Sequence, residues 1–362
     1  MVDAAAPYDG TPSFDGERLL VTGGAGFIGS ALVRMLLARP GGVAAVTVLD
    51  KLTYAGNLDN LATVADDPRL RFVHGDICDA ELVAEVTRGQ HRVVHLAAES
   101  HVDRSIVSAA GFVSTNVLGT QTLLNATLMA GVGTFLHVST DEVYGSIETG
   151  SWPETAPLAP NSPYSASKAS ADLLCLAYAR TYGMDVRITR CSNNYGPYQF
   201  PEKVIPLFVT NLMRGLSVPL YGDGRNVRDW LHVEDHCRGL LLALAHGRPG
   251  EVYNIGGGAE LSNVELTRTL LDLLGLGDDR IAWVEDRKGH DRRYSVDWRK
   301  AVAELGYRPS RSFTEGLADT VAWYRNQPAW WEPLLERAIG ADPSAEAAEA
   351  AAVRPEREEA RV

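Results

Sequence analysis

A doubly wound parallel α/β sheet, with a smaller α/β cap supplied by the C-terminal half, is the fold class this 362-residue sequence predicts. Three observations predict it. Short β-rich runs alternate with helical patterns through the first half of the chain. A glycine-rich turn joins the first of these runs to an amphipathic helix. After about Arg190 the alternation loosens into Pro- and Gly-rich connections. Alternating strands and helices bury both faces of one sheet when the strands run parallel and the helices cross over them.

The elements follow in order. Residues 1–15 are small, polar and Pro/Gly-containing, without apolar periodicity, and are expected to be disordered. Arg18 to Thr22, Val46 to Asp50, Arg71 to His74, Val93 to Leu96, Thr134 to Ser139 and Val186 to Thr189 read as strands, with Ser30 to Ala38 as the first crossover helix. Further on, helices are expected over Val204 to Arg214, Val233 to Ala245, Ser262 to Leu274 and Ser312 to Gln327, and Tyr253 to Ile255 reads as a strand returning to the main sheet. The predicted plan is a Rossmann-like dinucleotide domain over residues 16–192, with return segments near 228–257, and a mainly substrate-binding domain over 193–335. An acidic Ala/Glu tail, residues 336–362, with Pro343 and Pro355, is also expected to be disordered.

Composition narrows the function. Hydrophobic residues make up 45% of the chain, enough for a sizeable core, and the formal net charge of -12 argues against a general nucleic-acid binder, which needs a basic face to displace counterions. Cys78, Cys175, Cys191 and Cys237 are scattered without metal-ligand spacing. No signal-peptide pattern precedes them and no apolar run has spanning length, so a reducing cytoplasm is the expected setting and neither metal nor membrane is expected.

Chemistry begins at Gly23-Gly24-Ala25-Gly26-Phe27-Ile28-Gly29, placed where a strand turns into a helix. Gly23 permits the turn, Gly26 lets backbone approach a pyrophosphate, Gly29 lets the helix pack closely, and the helix N-terminus faces the phosphates. Asp50 ends the second strand at the distance expected of a carboxylate that accepts both adenosine ribose hydroxyls. That carboxylate favours NAD over NADP, because it repels a 2′-phosphate. Asp76 and Ile77 end the third strand and are placed near the adenine, while the small residues Leu96, Ala97 and Ala98 end the fourth and admit the cofactor backbone.

Tyr164 and Lys168 are four apart on a helix introduced by Asn161-Ser162-Pro163, so they share a face. An ammonium near the phenol, together with a positive nicotinamide ring, is expected to lower the tyrosine pKa until it accepts a proton from a sugar hydroxyl. Thr140 ends a strand opposite and orients the same hydroxyl. Asp141 and Glu142 follow it directly, at the strand end where parallel sheets bind ligands.

The set Thr22-Gly-Gly-Ala-Gly-Phe-Ile-Gly-Ser30, Leu96-Ala-Ala-Glu-Ser-His-Val-Asp-Arg-Ser105, Tyr164-x-x-x-Lys168, Arg190-Cys-Ser-Asn-Asn-Tyr-Gly-Pro197 and Arg228-Asp-Trp-Leu-His-Val-Glu-Asp235 resembles the extended short-chain dehydrogenase/reductases. Asp141-Glu142 and Gly289-His-Asp-Arg-Arg-Tyr294 are similar to the dTDP-glucose 4,6-dehydratase branch of that family, over about residues 18–330. The resemblance implies oxidation at C4 of a hexose, loss of water across C5 and C6, and return of the hydride to C6. Glu142 is then the base at C5 and Asp141 the acid at the C6 hydroxyl, roles that two adjacent carboxyls can divide only if their surroundings push their pKa values apart. The cofactor implied is tightly bound NAD, touched also by Lys51, Leu52, Thr53, Ser100, Thr115 and Asn194.

For the substrate dTDP-glucose, the resemblance implies a pocket of Ser100, Asn193, Lys203, Val204, Pro219, Leu220, Tyr221, Arg228, Asn263, His290, Asp291, Arg292, Arg293 and Tyr294. Arg228 is the expected diphosphate ligand, since a planar guanidinium offers two parallel hydrogen bonds. Arg292 alternatively pairs with Asp286 or Asp291, and His95, His137 and His232 are expected to be structural. Relatives pair through two long helices, here near Val113 to Met129 and Tyr164 to Tyr182, which implies a homodimer through a four-helix contact. An epimerase or decarboxylase on the same scaffold, or a nucleotide-sensing protein without turnover, are the competing readings. Neither needs both Asp141 and Glu142. The choice among dTDP, UDP and GDP, and the fate of the product, stay open.

Overall fold

The computed structural model describes residues 12–38, 42–286 and 289–341. Seven strands form one sheet: β1 (Arg18–Thr22), β2 (Ala45–Asp50), β3 (Leu70–His74), β4 (Arg92–His95), β5 (Thr134–Thr140), β6 (Val186–Cys191) and β10 (Val252–Ile255). Their order is β10-β6-β5-β4-β1-β2-β3, and every neighbouring pair is parallel. Alternation within β1 shows why both faces are covered. Leu19 and Val21 point into one apolar layer and Leu20 into the other, and all three are fully buried.

The first layer is closed by α1 (Phe27–Leu37) and by Leu240, Leu241 and Leu244 of α8 (Val233–His246). The second is closed by α2 (Ala80–Thr87), α5 (Thr120–Ala130) and α6 (Pro163–Tyr182). Helix α6 starts where the sequence requires: Ser162 and Ser165 form a reciprocal capping box, and Pro163, lacking an amide hydrogen, stands in the first turn where none is needed. Short helices α3 (Val102–Val107) and α4 (Ala110–Phe112) precede a π-helical turn, Val113–Gly119, that leads into α5. Such turns recur at functional sites. This one carries Asn116 against the end of β4, where its side chain bonds both the amide and carbonyl of Glu99.

The cap has its own core. Residues of α7 (Val204–Met213), α9 (Asn263–Leu274) and α11 (Phe313–Asn326) pack with Tyr195 and Trp230. Those two aromatics belong to β7 (Asn193–Tyr195) and β9 (Val227–His232), which with β11 (Glu260–Ser262) make a three-stranded sheet. β8 (Val218–Tyr221) pairs with β12 (Ile281–Val284). α10 (Arg299–Leu305) returns to the large sheet, and α12 (Pro328–Ala341) closes the described chain.

Three boundaries differ from expectation. The return to the main sheet consists of α8 and β10, whereas residues 227–232 pair within the cap, because β9 finds its partners in β7 and β11. Phe14 is not outside the fold: it is buried, with the Arg92 guanidinium over its ring. Helix α12 carries order beyond residue 335, anchored by Trp331, whose indole donates to the Tyr324 carbonyl, and by Trp330, whose indole reaches Asn60 Oδ1 at 3.0 Å. The remainder of both expected tails lies outside the described residues.

Candidate active site

The strand order reverses between β1 and β4, and a cleft of about 330 Å³ opens at the C-terminal ends of the strands there. Gly23 takes φ +71°, and a Cβ on it would meet the Ala97 amide nitrogen at 2.7 Å. A Cβ on Gly29 would sit 2.1 Å from the Gly23 carbonyl oxygen. The loop therefore folds against itself and against β4 as only glycine permits. Gly26 caps α1 with extended backbone and no side-chain hydrogen bond, which leaves the first helical amides turned toward the cleft.

Asp50 accepts the Ala25 amide at 2.9 Å and the Leu52 amide at 2.8 Å. Each of its oxygens keeps acceptor capacity for a hydroxyl. Lys51 is engaged by Asp76 at 2.6 Å, which holds its ammonium above the ordinary range. No free cation beside Asp50 is thus supplied by Lys51 to balance a 2′-phosphate. Phe27, Ile28, Thr53, Asp76, Ile77, Leu96, Ala97, Ala98, Ser100, Thr115 and Asn194 also line the cleft. Leu52 does not. With φ +53° its backbone turns to hold Asp50, so its part is support and not lining.

Thr140, Asp141, Glu142, Tyr164 and Lys168 meet in the same cleft. Thr140 Oγ1 caps the turn Asp141–Tyr144 by accepting the Glu142 amide at 3.3 Å, and it donates to Asp141 Oδ1 at 3.3 Å. Burial pushes the Asp141 carboxyl well above the usual carboxylate range, and the neighbouring Glu142 charge pushes it further. Its Oδ2 is buried without a hydrogen-bond partner. Glu142 lines this cleft and a second one of about 260 Å³, which puts it at their junction.

Tyr164 departs from expectation. In the protein alone burial raises the phenol well above its ordinary value, with Glu142 adding to the rise and the Thr140 hydroxyl opposing it. The Lys168 ammonium donates to the Val138 carbonyl at 2.9 Å and lies 3.5 Å from His137 Nε2. Helical spacing puts Tyr164 and Lys168 on one face, and β5 holds the lysine tip.

The second cleft joins the large domain to the cap. Ser100, Asn193, Lys203, Val204, Pro219, Leu220, Tyr221, Arg228, Asn263, His290, Asp291 and Tyr294 line it. Arg228 is held in the wall by donating to the carbonyls of Val227 (2.8 Å) and Asp291 (3.0 Å), with its guanidinium over the Tyr294 ring. Arg292 and Arg293 lie outside both clefts. Arg292 grips Asp223 on the surface at 2.7 Å, in place of Asp286 or Asp291, and Arg293 forms a two-pronged pair with Glu260. Asp223 and Glu260 outside the clefts hold these two arginines there. Sequence reasoning missed Asn211, Arg214 and Leu335 in the second cleft and Glu202 in both. The first three come from α7, its C-cap and α12, and carry no local motif. Glu202 adjoins the predicted Lys203, and its partner Arg104 (3.0 Å) is far off in sequence.

Among the described residues no group of three or more His, Cys, Asp or Glu is placed to hold a metal ion. No helix among them is long and apolar enough to cross a membrane.

Residues 20–320 match the family model described as GDP-mannose 4,6 dehydratase. A dTDP-glucose 4,6-dehydratase of Streptomyces antibioticus is 65% identical over 327 residues, covering 89% of this chain and 97% of the relative. The crystal structure of DesIV, a dTDP-glucose 4,6-dehydratase of Streptomyces venezuelae with NAD and TYD bound, superposes with a TM-score of 0.86 at 65% identity, covering 88% of this chain and 99% of that one. A UDP-glucose 4-epimerase of Thermotoga maritima with UDP-glucose follows the same fold at a TM-score of 0.80 and 34% identity, over 86% of this chain and 99% of that one.

Asp141 generates a stability prediction. Its folded-state carboxyl binds its proton well above 3.8, so as the pH rises past that value the folded state holds a proton that the unfolded state has released, and stability falls. Asp141→Asn has no such proton to lose. It is expected to melt at a higher temperature than wild type near pH 7, with the gap closing as the pH falls toward about 4. Thermal melts across this range check it, and a gap independent of pH contradicts it.

Proposed function

The chain belongs to the GDP-mannose 4,6 dehydratase family, on its dTDP-glucose 4,6-dehydratase branch, and from that premise we infer that Tyr164, Glu142 and Asp141 divide the reaction among them. The activity is conversion of dTDP-glucose to dTDP-4-keto-6-deoxyglucose, with NAD as cofactor. NAD, when bound, supplies a reversible hydride store, so the reaction loses water without net redox change.

The residues fit that cofactor. The Gly23–Gly29 turn has no room for a Cβ at its ends, the open amides of α1 suit a pyrophosphate, Asp50 suits the ribose hydroxyls, and Lys51 is occupied by Asp76. The reading gives Tyr164 the proton of the C4 hydroxyl, with Thr140 orienting that hydroxyl. Burial opposes the phenolate, so a positive charge next to the ring is required before Tyr164 can act as a base. Once C4 is a ketone, the C5 proton is acidic. Glu142, at the junction of the clefts, takes it, and Asp141 gives its proton to the departing C6 hydroxyl.

One observation carries this assignment: Asp141 adjoins the cleft yet is buried, which pushes its carboxyl well above the usual carboxylate range, and its Oδ2 has no hydrogen-bond partner. An epimerase has no use for that proton. Arg228, in the wall of the second cleft with its guanidinium over the Tyr294 ring, is assigned to the diphosphate, which a planar guanidinium suits.

A homodimer is also proposed. Val113 and Leu118 on the π-helical turn, and Leu173 and Tyr182 on α6, are exposed by half or more. With Ala110, Val117 and Leu174 nearby they make an apolar face on the two helices that the family pairs. Free cysteines, Cys175, Cys191 and Cys237 buried among them, support placing the protein in the cytoplasm.

Incubated separately with dTDP-glucose and UDP-glucose, the purified protein is expected to form the alkali-absorbing 4-keto product from the former; absence of product from both contradicts the assignment. Glu142→Gln is expected to lose product formation by about 10²–10⁴-fold while reduced-nicotinamide absorbance still develops. Tyr164→Phe is expected to lose both signals, and retained turnover in either variant removes that residue from its role. Leu118→Glu combined with Leu173→Glu is expected to sediment as a monomer, whereas an unchanged mass overturns the proposed contact.

A further inference from the structure

Behind Lys168 lies a buried ionic chain that the reaction as described does not use. Lys168 Nζ is 3.5 Å from His137 Nε2, and the same nitrogen is 3.4 Å from Asp172 Oδ1. Asp172 Oδ2 accepts from Arg190 Nε at 2.8 Å, and Arg190 donates onward to the Tyr144 hydroxyl at 2.8 Å. Tyr144 in turn donates to Asn254 Oδ1 at 2.9 Å, across from β10. Side chains of His137 and Asp172 are fully buried, and neither His137 Nδ1 nor Asp172 Oδ1 has a hydrogen-bond partner, so Asp172 meets His137 at ion-pair distance and not through a hydrogen bond. Burying an aspartate, an arginine and a lysine together is costly unless their charges offset one another. Asp172 lies four residues after Lys168 on α6, so helix geometry turns it toward the lysine, while Arg190 from β6 fixes it from the far side.

We propose that Asp172, clamped by Arg190 and set behind His137, is a positioning residue whose negative charge keeps Lys168 charged and held along β5 at the cofactor cleft. This deepens the reading of Lys168 as part of the active site and rests on it. Groups facing Lys168 are His95 from β4, His137 from β5, Cys191 from β6, and Asp172 and Cys175 from α6 itself. Burial lowers the lysine's affinity for its proton, and Asp172 leads the groups that oppose the loss. Burial first, then the lysine charge, brings His137 down to about 4, so it stands neutral at physiological pH, with the one nitrogen Nε2 able to accept from Lys168 or donate to Asp172 but not both. Asp172 stays ionised: burial alone would raise it, but the adjoining His137 and the Arg190 guanidinium outweigh that cost.

The chain contains five lysines, so ε-carbon NMR of ¹³C-lysine-labelled protein gives few signals, and Lys168→Met assigns the one of interest. In Asp172→Asn the Lys168 titration midpoint is expected to fall by about one pH unit or more, a tenfold or greater change in proton affinity, and Asp172→Glu is expected to restore it. The high-pH limb of kcat/KM should move down in step. If Asp172→Asn does not fold, His137→Phe carries the test with the Asp172–Arg190 pair left intact; it should show the same fall, while His137→Gln, able to donate to one neighbour and accept from the other, holds the midpoint. A Lys168 midpoint unmoved in Asp172→Asn overturns the proposal, as does an unmoved midpoint in His137→Phe or an equal fall in His137→Gln.

Discussion

The cleft depends on how near the backbone of the first strand-to-helix turn can come to the neighbouring strand. At Gly23 a single added carbon would press on the Ala97 amide, and at Gly29 it would press on the Gly23 carbonyl. Because those contacts are backbone against backbone, no rotamer change can relieve them. Their closeness brings the uncapped end of α1, the Asp50 carboxylate and the end of β4 to one opening at the reversal of strand order. A side chain at either glycine would force these backbone segments apart.

Burial does the electrostatic work at that other end. Asp141 and Glu142 are adjacent in the chain, yet Asp141 is enclosed under β5 while Glu142 lies at the junction of two clefts. Desolvation penalises the charged form of the enclosed member, and the neighbouring carboxylate adds to the penalty. One backbone turn thus gives two adjacent carboxyls different surroundings. The same burial works against a charge on Tyr164 and on Lys168. For Lys168 the remedy is built into the fold, in the Asp172 and Arg190 pair behind it.

The cap completes the arrangement by length, not by motif. β9 leaves the large domain to pair with β7 and β11, which presents Arg228 to the second cleft with two of its donors already committed to the wall. Helix α12 then crosses back, with Trp330 reaching Asn60 in the large domain. The large sheet and the cap therefore share the walls of the second cleft.

Much of this was legible in the chain. Six strands, the glycine turn, the Asp50 strand end and the grouping of Thr140, Asp141, Glu142, Tyr164 and Lys168 could be read because each depends on local spacing: period two in strands, four residues on a helix, glycine where φ must be positive. Sequence also carried the Ser162–Ser165 cap that starts α6. Other features were decided only by tertiary structure. Arg292 and Arg293 turned away to Asp223 and Glu260, Lys168 turned toward Val138 and His137, Phe14 was drawn into the core, and Glu202, Arg214 and Leu335 arrived in the clefts from distant elements. A side chain's spacing names the face it shares, but its aim is settled by whichever opposite charge or apolar surface the folded chain brings within reach, and those partners lie dozens to hundreds of residues away.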